Sequence, residues 1–415
     1  MTLRWAVFAV TICLFGAANA AEFRQEAGRG WQALEAAIAS GQVGAGDTVV
    51  LERGSHGVLV LEGLHFDPAL TFRGAAGAHV QAVLVQDASG LVIRDLAVWP
   101  TADIAQKAVV LSRPNTNSIV FEGLDVRSRE DAARNYLDWS LSEWLSLKGI
   151  GGVRIEGANS GVFDSQITAT GFAITALGPA ARIEGNHVRG FTGDAMRALA
   201  DDSVVSGNTV QDCIKVDDNH DDGFQAWAPR DGSGPLRGLR IEGNRILEWR
   251  GPKAHPLRCR LQGIGLFDGP YENLTIANNL VEVTGYHGIS LYGASTSRIV
   301  NNTVVHPDGQ AQDYPWIMLQ DAKGGQLAWQ NQLANNLAAR FSIRTKLPPD
   351  QPKGTNVTVS DPAAIFRDAA GGDYRLLPSS DLTSAGVKGR GPAQDIDGTR
   401  RPQGAGIDLG AFETR

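Results

Sequence analysis

Six short stretches place asparagine at the same point of an apolar strand: Gly185-Asn186-His187-Val188, Gly207-Asn208-Thr209-Val210, Gly243-Asn244-Arg245-Ile246, Asn278-Asn279-Leu280-Val281, Asn301-Asn302-Thr303-Val304 and Asn335-Asn336-Leu337. Successive ladder asparagines are 22, 36, 35, 23 and 34 residues apart, which describes one coil of about 22 residues with loops inserted at recurring places. Weaker copies precede them at Asp95-Leu96-Ala97-Val98, Gly123-Leu124-Asp125-Val126 and Ser165-Gln166-Ile167. Coils of short strands joined by Gly and Asn turns predict an all-β solenoid, a parallel β-helix. Asparagine recurring at one coil position predicts a buried ladder of side-chain amides and tolerates a left-handed turn. The 49 glycines of the chain agree with a turn-rich fold.

A second strand of each coil aligns as Phe172 to Leu177, Asp194 to Leu199, Asp222 to Trp227, Gln262 to Phe267, His287 to Tyr292 and Pro315 to Gln320. Its third and fifth columns are apolar throughout, so period-two alternation turns them to the core and the fourth and sixth outward. With coils about 4.8 Å apart, sequence-distant residues meet on that outer face. The sixth column carries Leu199, Trp227, Phe267 and Tyr292, a row that suits packing against sugar rings or beneath a covering loop. The fourth carries Arg197 and Gln225, and the first carries Asp194, Asp222, Gln262 and His287. Strict alternation turns the first column inward, but a turn at the start of the strand can swing it out, leaving Asp194 and Asp222 one coil apart.

The densest charge lies in Asp217-Asp218-Asn219-His220-Asp221-Asp222, just before one of these strands. Such a run must be screened by a cation, a basic neighbour or water, or neutralised by raised pKa values. It reads as a solvated turn, as a calcium loop using Asp217, Asp218, Asp221 and Asp222, or as a catalytic turn. Removing a proton from a carbon next to a carboxylate needs a base and a positive group to stabilise the charge that develops. His220 suits the first role and Arg197 the second, with Arg240 and Lys215 in reserve; flanking aspartates would raise and orient the imidazole.

Over nearly all of the mature sequence the chain resembles the right-handed parallel β-helix superfamily that includes pectate lyases, polygalacturonases and mannuronan C5-epimerases. Asp218-Asn219-His220-Asp221 is similar to the Asp-Pro-His-Asp motif of the epimerases, with Asn219 in place of proline. That resemblance implies His220 as base, held by Asp218 and Asp221, and an acidic polysaccharide as partner. Polygalacturonase motifs are echoed by Asp221-Asp222, Tyr286-His287-Gly288 and Arg344-Thr345-Lys346. The aligned column, however, puts His287 about two coils, near 10 Å, from Asp222. A glycoside hydrolase working through Asp194 and Asp222 stays open, because carboxylates roughly 5 Å apart suit a nucleophile and an acid.

Residues 1–20 have the pattern of a secretory signal peptide: Arg4, an apolar run from Trp5 to Phe15, and Ala18-Asn19-Ala20 as a cleavage site. No segment reaches the ~20 apolar residues of a membrane span, so a secreted or periplasmic protein is expected. A formal charge of −7 argues against nucleic acid as a partner. Cys213 and Cys259 are the only cysteines beyond the signal and are free to pair in an oxidising compartment. The β-helix is expected over residues 21–346. A capping helix carrying Trp31, Leu34, Ala37 and Ile38 opens it, and residues 347–415 close it as a C-terminal cap.

Inserted loops interrupt the coil at 128–148, 249–260 and 306–316. The first, with Tyr136, Trp139 and Trp144, reads as a helical side wall; the second carries Arg250, Lys253, His255, Arg258 and Arg260, either solvated or a clamp in which Arg258 and Arg260 hold an anionic polymer. The function expected is an exported polysaccharide-modifying enzyme, a lyase or C5-epimerase. Its catalytic residues would be His220, Arg197, Asp222, Asp194, Asp218 and Asp221, and Gln225, Trp227, Phe267, Tyr292, His287, Arg258 and Arg260 would bind substrate. A polygalacturonase-type hydrolase and a non-catalytic glycan-binding or adhesin rod are the alternatives.

Overall fold

The computed structural model describes residues 20–101, 107–308 and 314–414. The expected signal peptide lies outside these except for its last residue, as does part of the 306–316 loop. Among the described residues, three long sheets wind around one core. Two have 12 strands each, running from Glu22–Gln25 to Gln332–Ala334 and from Gly54–Ser55 to Val357–Thr358. The third has 11, from Val58–Glu62 to Arg340–Ile343. Each strand pairs in parallel with its counterpart one coil away, as Ile174 with Met196, Met196 with Phe224 and Phe224 with Ile264. The architecture is a right-handed parallel β-helix, and no described helix is long and apolar enough to cross a membrane.

Alternation fixes the core. Ile174, Met196, Phe224, Ile264, Ile289 and Ile317, with Ala176, Ala198, Ala226, Leu266, Leu291 and Leu319, are all at most 1 % exposed. A fully buried large apolar side chain contributes roughly 1.5–3 kcal/mol. The amide ladder runs down a corner of the coil: Asn186 Nδ2 donates to Asn208 Oδ1, Asn208 to Asn244, Asn244 to Asn279, Asn279 to Asn302 and Asn302 to Asn336, each at 2.9 or 3.0 Å. Asn356 extends it one rung into the C-terminal segment. The left-handed turn expected of these asparagines falls one residue earlier. Gly185, Gly207 and Gly243 (φ 65° to 69°) and Asn278, Asn301 and Asn335 (φ 54° to 59°) take the positive φ, which leaves the ladder residue free to aim its amide along the axis.

The helix Gln32–Ala39 closes the N-terminal end by burying Leu34 and Ala37. The C-terminal segment packs along the side of the coil. Phe366, Tyr374, Leu376, Leu409 and Phe412 pack on Leu247, Leu280, Val305 and Leu337, the outward apolar residues of one 12-stranded sheet. The 128–148 insertion forms the helices Ala132–Asn135 and Leu141–Leu147 joined by a short 3-10 turn. Its Tyr136, Trp139 and Trp144 cluster with Ile214 and Trp249, so two insertions separate in sequence build one side wall. Asp212 knits them, accepting from Tyr136 Oη at 2.6 Å and from the backbone N–H groups of Arg250 and Gly251.

Candidate functional site

The turn carrying His220 is held at both ends before its side chains matter. Cys213 is disulfide-bonded to Cys259, Lys215 N–H donates to Leu257 O, and Gln262 N–H donates to Asp221 O. Within the turn, Asn219 N–H donates to Asp217 Oδ1 at 2.8 Å. The chain then enters the strand Asp222–Trp227 of the 11-stranded sheet.

Two buried carboxylates sit one coil apart, and each holds an outward group. Asp194, 1 % exposed, accepts from Arg197 Nε at 2.6 Å, and Arg197 is 19 % exposed. Asp222 is fully buried and bonds His220 Nδ1 at 3.0 Å through Oδ2, while the His220 side chain is 59 % exposed. The backbone N–H of Asp222 donates to Asp194 Oδ1 at 3.1 Å, joining the pairs. Gln225 Nε2 adds a longer bond to Asp222 at 3.3 Å. The Arg197 guanidinium lies 3.7 Å from the ring centre of Phe172 and 5.4 Å from that of Trp227, a cation held between two aromatic faces.

Burial pushes the Asp222 carboxyl up to about 7, against the opposing hydrogen bond from His220. Burial likewise raises Asp194, opposed by the Arg197 charge. The Asp222 hydrogen bond raises His220 in turn. When Asp222 is ionised, Nδ1–H is the donor to it, and Nε2 is left as the free, basic nitrogen of the exposed ring.

Two depressions meet at Asn219. One, of about 240 Å³, is lined by Arg197, His220, Trp227, Arg230, Phe267 and Asp268; the other, of about 510 Å³, by Lys148, Phe172, Thr192, Asp217 and Asp218. Both depressions border the coil that carries Thr192 and Arg197 and the coil that carries Asp217 and Trp227, the second lying at the turn before the strand and the first over the strand and its far end.

Several expected site residues serve other ends. Asp221 is buried and turns to Asn219 Nδ2 at 3.0 Å and Lys215 Nζ at 3.8 Å rather than to His220; burial lifts it to about 7. Asp217 pairs with Lys148, and Asp218 is exposed and makes no bond to the imidazole. Among the described residues Asp217, Asp218, Asp221 and Asp222 do not bring three ligand oxygens together; the one metal-like group is Cys213, Asp221 and Cys259, whose sulfurs are bonded to each other. This donor set does not fit calcium, which needs six or more convergent oxygens.

Arg258 is spent on the buried Glu248 at 2.8 Å, so it is no polymer clamp, and Arg240 pairs with Glu242 on a different sheet. Arg260 donates to Thr284 O and lies over the rings of Tyr286 and Tyr314. Tyr292 is covered, its hydroxyl on Met318 Sδ and its ring on Phe267, so it offers no open face to a sugar. His287 pairs in register with Trp316 rather than Pro315, because a bulge follows it, and its Nδ1 meets Trp316 Nε1 at 3.1 Å and Ser290 Oγ at 2.7 Å. Burial lowers it to about 4, so it stays neutral. Phe172 and Arg230 were not among the expected site residues. Phe172 heads an aligned strand, where its aromatic character is a usable signal; Arg230 sits on a loop outside the repeat and carries none.

Residues 141–304 match the family described as "Right handed beta helix region". Among solved structures, the A-module of the mannuronan C-5 epimerase AlgE6 of Azotobacter vinelandii is 14 % identical, with a TM-score of 0.50, over 79 % of this chain and 93 % of its own. Pectate lyase Pel9A is 14 % identical with a TM-score of 0.42 over 96 % of this chain and 98 % of its own. The Dettilon tailspike protein is 14 % identical with a TM-score of 0.48 over 79 % of this chain, which spans 61 % of the tailspike. No curated protein matches the sequence. At such identities a likeness speaks for architecture alone: residues 141–304 match the right-handed β-helix family, and the strand order gives the chain the right-handed parallel β-helix fold.

Proposed function

We propose that the protein is an exported polysaccharide-modifying enzyme that removes the C5 proton of a uronic acid, as a lyase or a C5-epimerase. One observation carries this reading: the exposed group of the cluster is an imidazole on a buried carboxylate, with an arginine on a second buried carboxylate beside it. His220 Nε2 takes the proton, and Asp222 stabilises the imidazolium that forms. Electrons from the broken C5–H bond move toward the sugar carboxylate, where Arg197 offsets the developing charge. Breakage of the C4–O bond, whose oxygen leaves with the proton held by the imidazolium, then gives the unsaturated product; delivery of a proton from water to the opposite face of C5 gives the epimer instead. Asp194 and Asp222 are too buried to touch a glycosidic bond, which weighs against the hydrolase alternative. The Cys213–Cys259 bond supports an oxidising compartment.

The test is incubation with a panel of uronic-acid polymers while following the ultraviolet absorbance of the conjugated double bond. A rise that His220→Ala and Arg197→Ala abolish is the result expected of a lyase, and a change in C5 configuration by NMR without absorbance is that of an epimerase. New reducing ends without absorbance would replace this reading with hydrolysis. Binding without any product would replace it with a glycan-binding rod.

A further inference from the structure

We infer that the preferred substrate is a heteropolysaccharide in which the uronic acid attacked is joined directly to a neutral sugar, the uronate lying by Arg197 and Arg230 and the neutral unit by Asp218 and Phe172. This rests on the enzymatic reading and adds a substrate class to it. The two depressions adjoin at Asn219, so adjacent units of one sugar chain can occupy them together. Their charges are opposite. In the first, Arg230 lies 5.5 Å from the ring centre of Trp227, and among the described residues no carboxylate pairs with it. The acid on that wall, Asp268, is met by Lys323 at 3.5 Å. Arg197 is balanced by Asp194, so it is the unpaired Arg230 that leaves this depression with net positive charge toward a carboxylate.

The second depression is the reverse. Its one cation, Lys148, is paired with Asp217, and Asp218 stands exposed with no cation on it among the described residues. A second uronate there would face an unpaired carboxylate; at contact distance in water that repulsion lowers affinity by a factor on the order of five to ten. A neutral pyranose meets no such penalty. Its hydroxyls can donate to Asp218, beside the exposed edge of Phe172, which is 37 % exposed.

The experiment compares kcat/KM for oligosaccharides of equal length, one a homopolymer of a uronic acid and one alternating that acid with a neutral sugar, with calorimetric binding of both in parallel. Wild type should favour the alternating chain, and Asp218→Asn should raise kcat/KM on the homopolymer about fivefold to tenfold while lowering it on the alternating chain, whose neutral unit loses a charged acceptor. Asp218→Lys should go further in the same direction. Preference for the homopolymer in wild type, or an equal effect of Asp218→Asn on both, would overturn the inference while leaving the enzyme intact. If neither chain reacts, the enzymatic reading is what fails, and tighter calorimetric binding of the homopolymer would still overturn the charge argument.

Discussion

Asp194 accepts the backbone N–H of Asp222 at 3.1 Å, and through that bond one coil sets the position of the next. The same Asp194 carboxylate fixes Arg197 with its other oxygen, while Asp222 fixes His220. A proton acceptor and a positive charge are thereby mounted on adjacent rungs of a rigid sheet, each preorganised by a group that substrate does not reach.

Asp222→Asn should lower kcat by roughly 10³, because an amide presents N–H to Nδ1 and favours the tautomer that leaves no base at Nε2. The pH profile gives a second readout. Asp222 raises the His220 pKa, and a base works only when deprotonated, so the wild-type rate should rise through a pH above the usual histidine value. Without Asp222 that limb should move to lower pH. Rates measured from pH 5 to 9, with an NMR titration of His220, check both; a limb that stays in place would remove the imidazole–carboxylate pair from the mechanism.

Arg197→Lys keeps the charge and should still fail. The guanidinium is planar, donates through Nε to Asp194 and lies between Phe172 and Trp227, none of which an ammonium reproduces. A loss of about 10- to 100-fold in kcat is expected, with KM changed much less, because the charge it offsets develops only in the transition state. Steady-state kinetics separate the two; a rise in KM alone would make Arg197 a binding residue.

The coil was legible because its two signals are periodic: asparagine at one corner, and apolar third and fifth columns on the strand that carries the site. Periodicity also placed Arg197 on the outer face and Asp194 next to Asp222. It was silent wherever the period breaks. Bulges between Gln225 and Trp227 and after His287 shift the register, so Trp227 pairs with Asp268 and His287 with Trp316. Arg258 read as an available cation because its partner Glu248 is buried within the fold, a fact with no sequence pattern of its own. In one dimension the acidic run read equally as a solvated turn, a calcium loop or a catalytic turn. In three, Asp217, Asp221 and Asp222 turn to Lys148, to Asn219 and Lys215, and to His220.

The buried acids make stability depend on pH in a direction opposite to ordinary acid denaturation. Asp221 and Asp222 are both lifted to about 7, from about 3.9 in an unfolded chain. Between those values the folded state binds more protons, so their contribution is favourable at low pH and is lost as pH rises toward 7. His220, raised as well, adds in the same sense just above its unfolded value. Asp221→Asn removes one such group, and it should raise stability at pH 8 by about 1–2 kcal/mol, less than the full shift because the contacts to Asn219 and Lys215 are weakened, with little effect at pH 4. Denaturant titrations at the two pH values test this; equal shifts at both would place the effect in packing rather than in ionisation.

Breaking the Cys213–Cys259 bond should cost activity as well as stability. The bond joins residues 46 apart and has Cα atoms 5.4 Å apart. Closing a loop of that size stabilises a fold by typically 2–4 kcal/mol. The turn from Lys215 to Asp221 leaves the coil immediately after Cys213, and the strand whose Gln262 N–H donates to the Asp221 carbonyl begins just after Cys259. Releasing the bond therefore loosens both supports of His220, whereas the Asp194–Arg197 pair, on the preceding coil, keeps its anchors. The double variant Cys213→Ala, Cys259→Ala should melt lower and, assayed well below its own melting temperature, should lose kcat. Glycan affinity at Arg197 should change little. Full kcat in the folded variant would show that the Asp222 bond alone suffices to hold the imidazole.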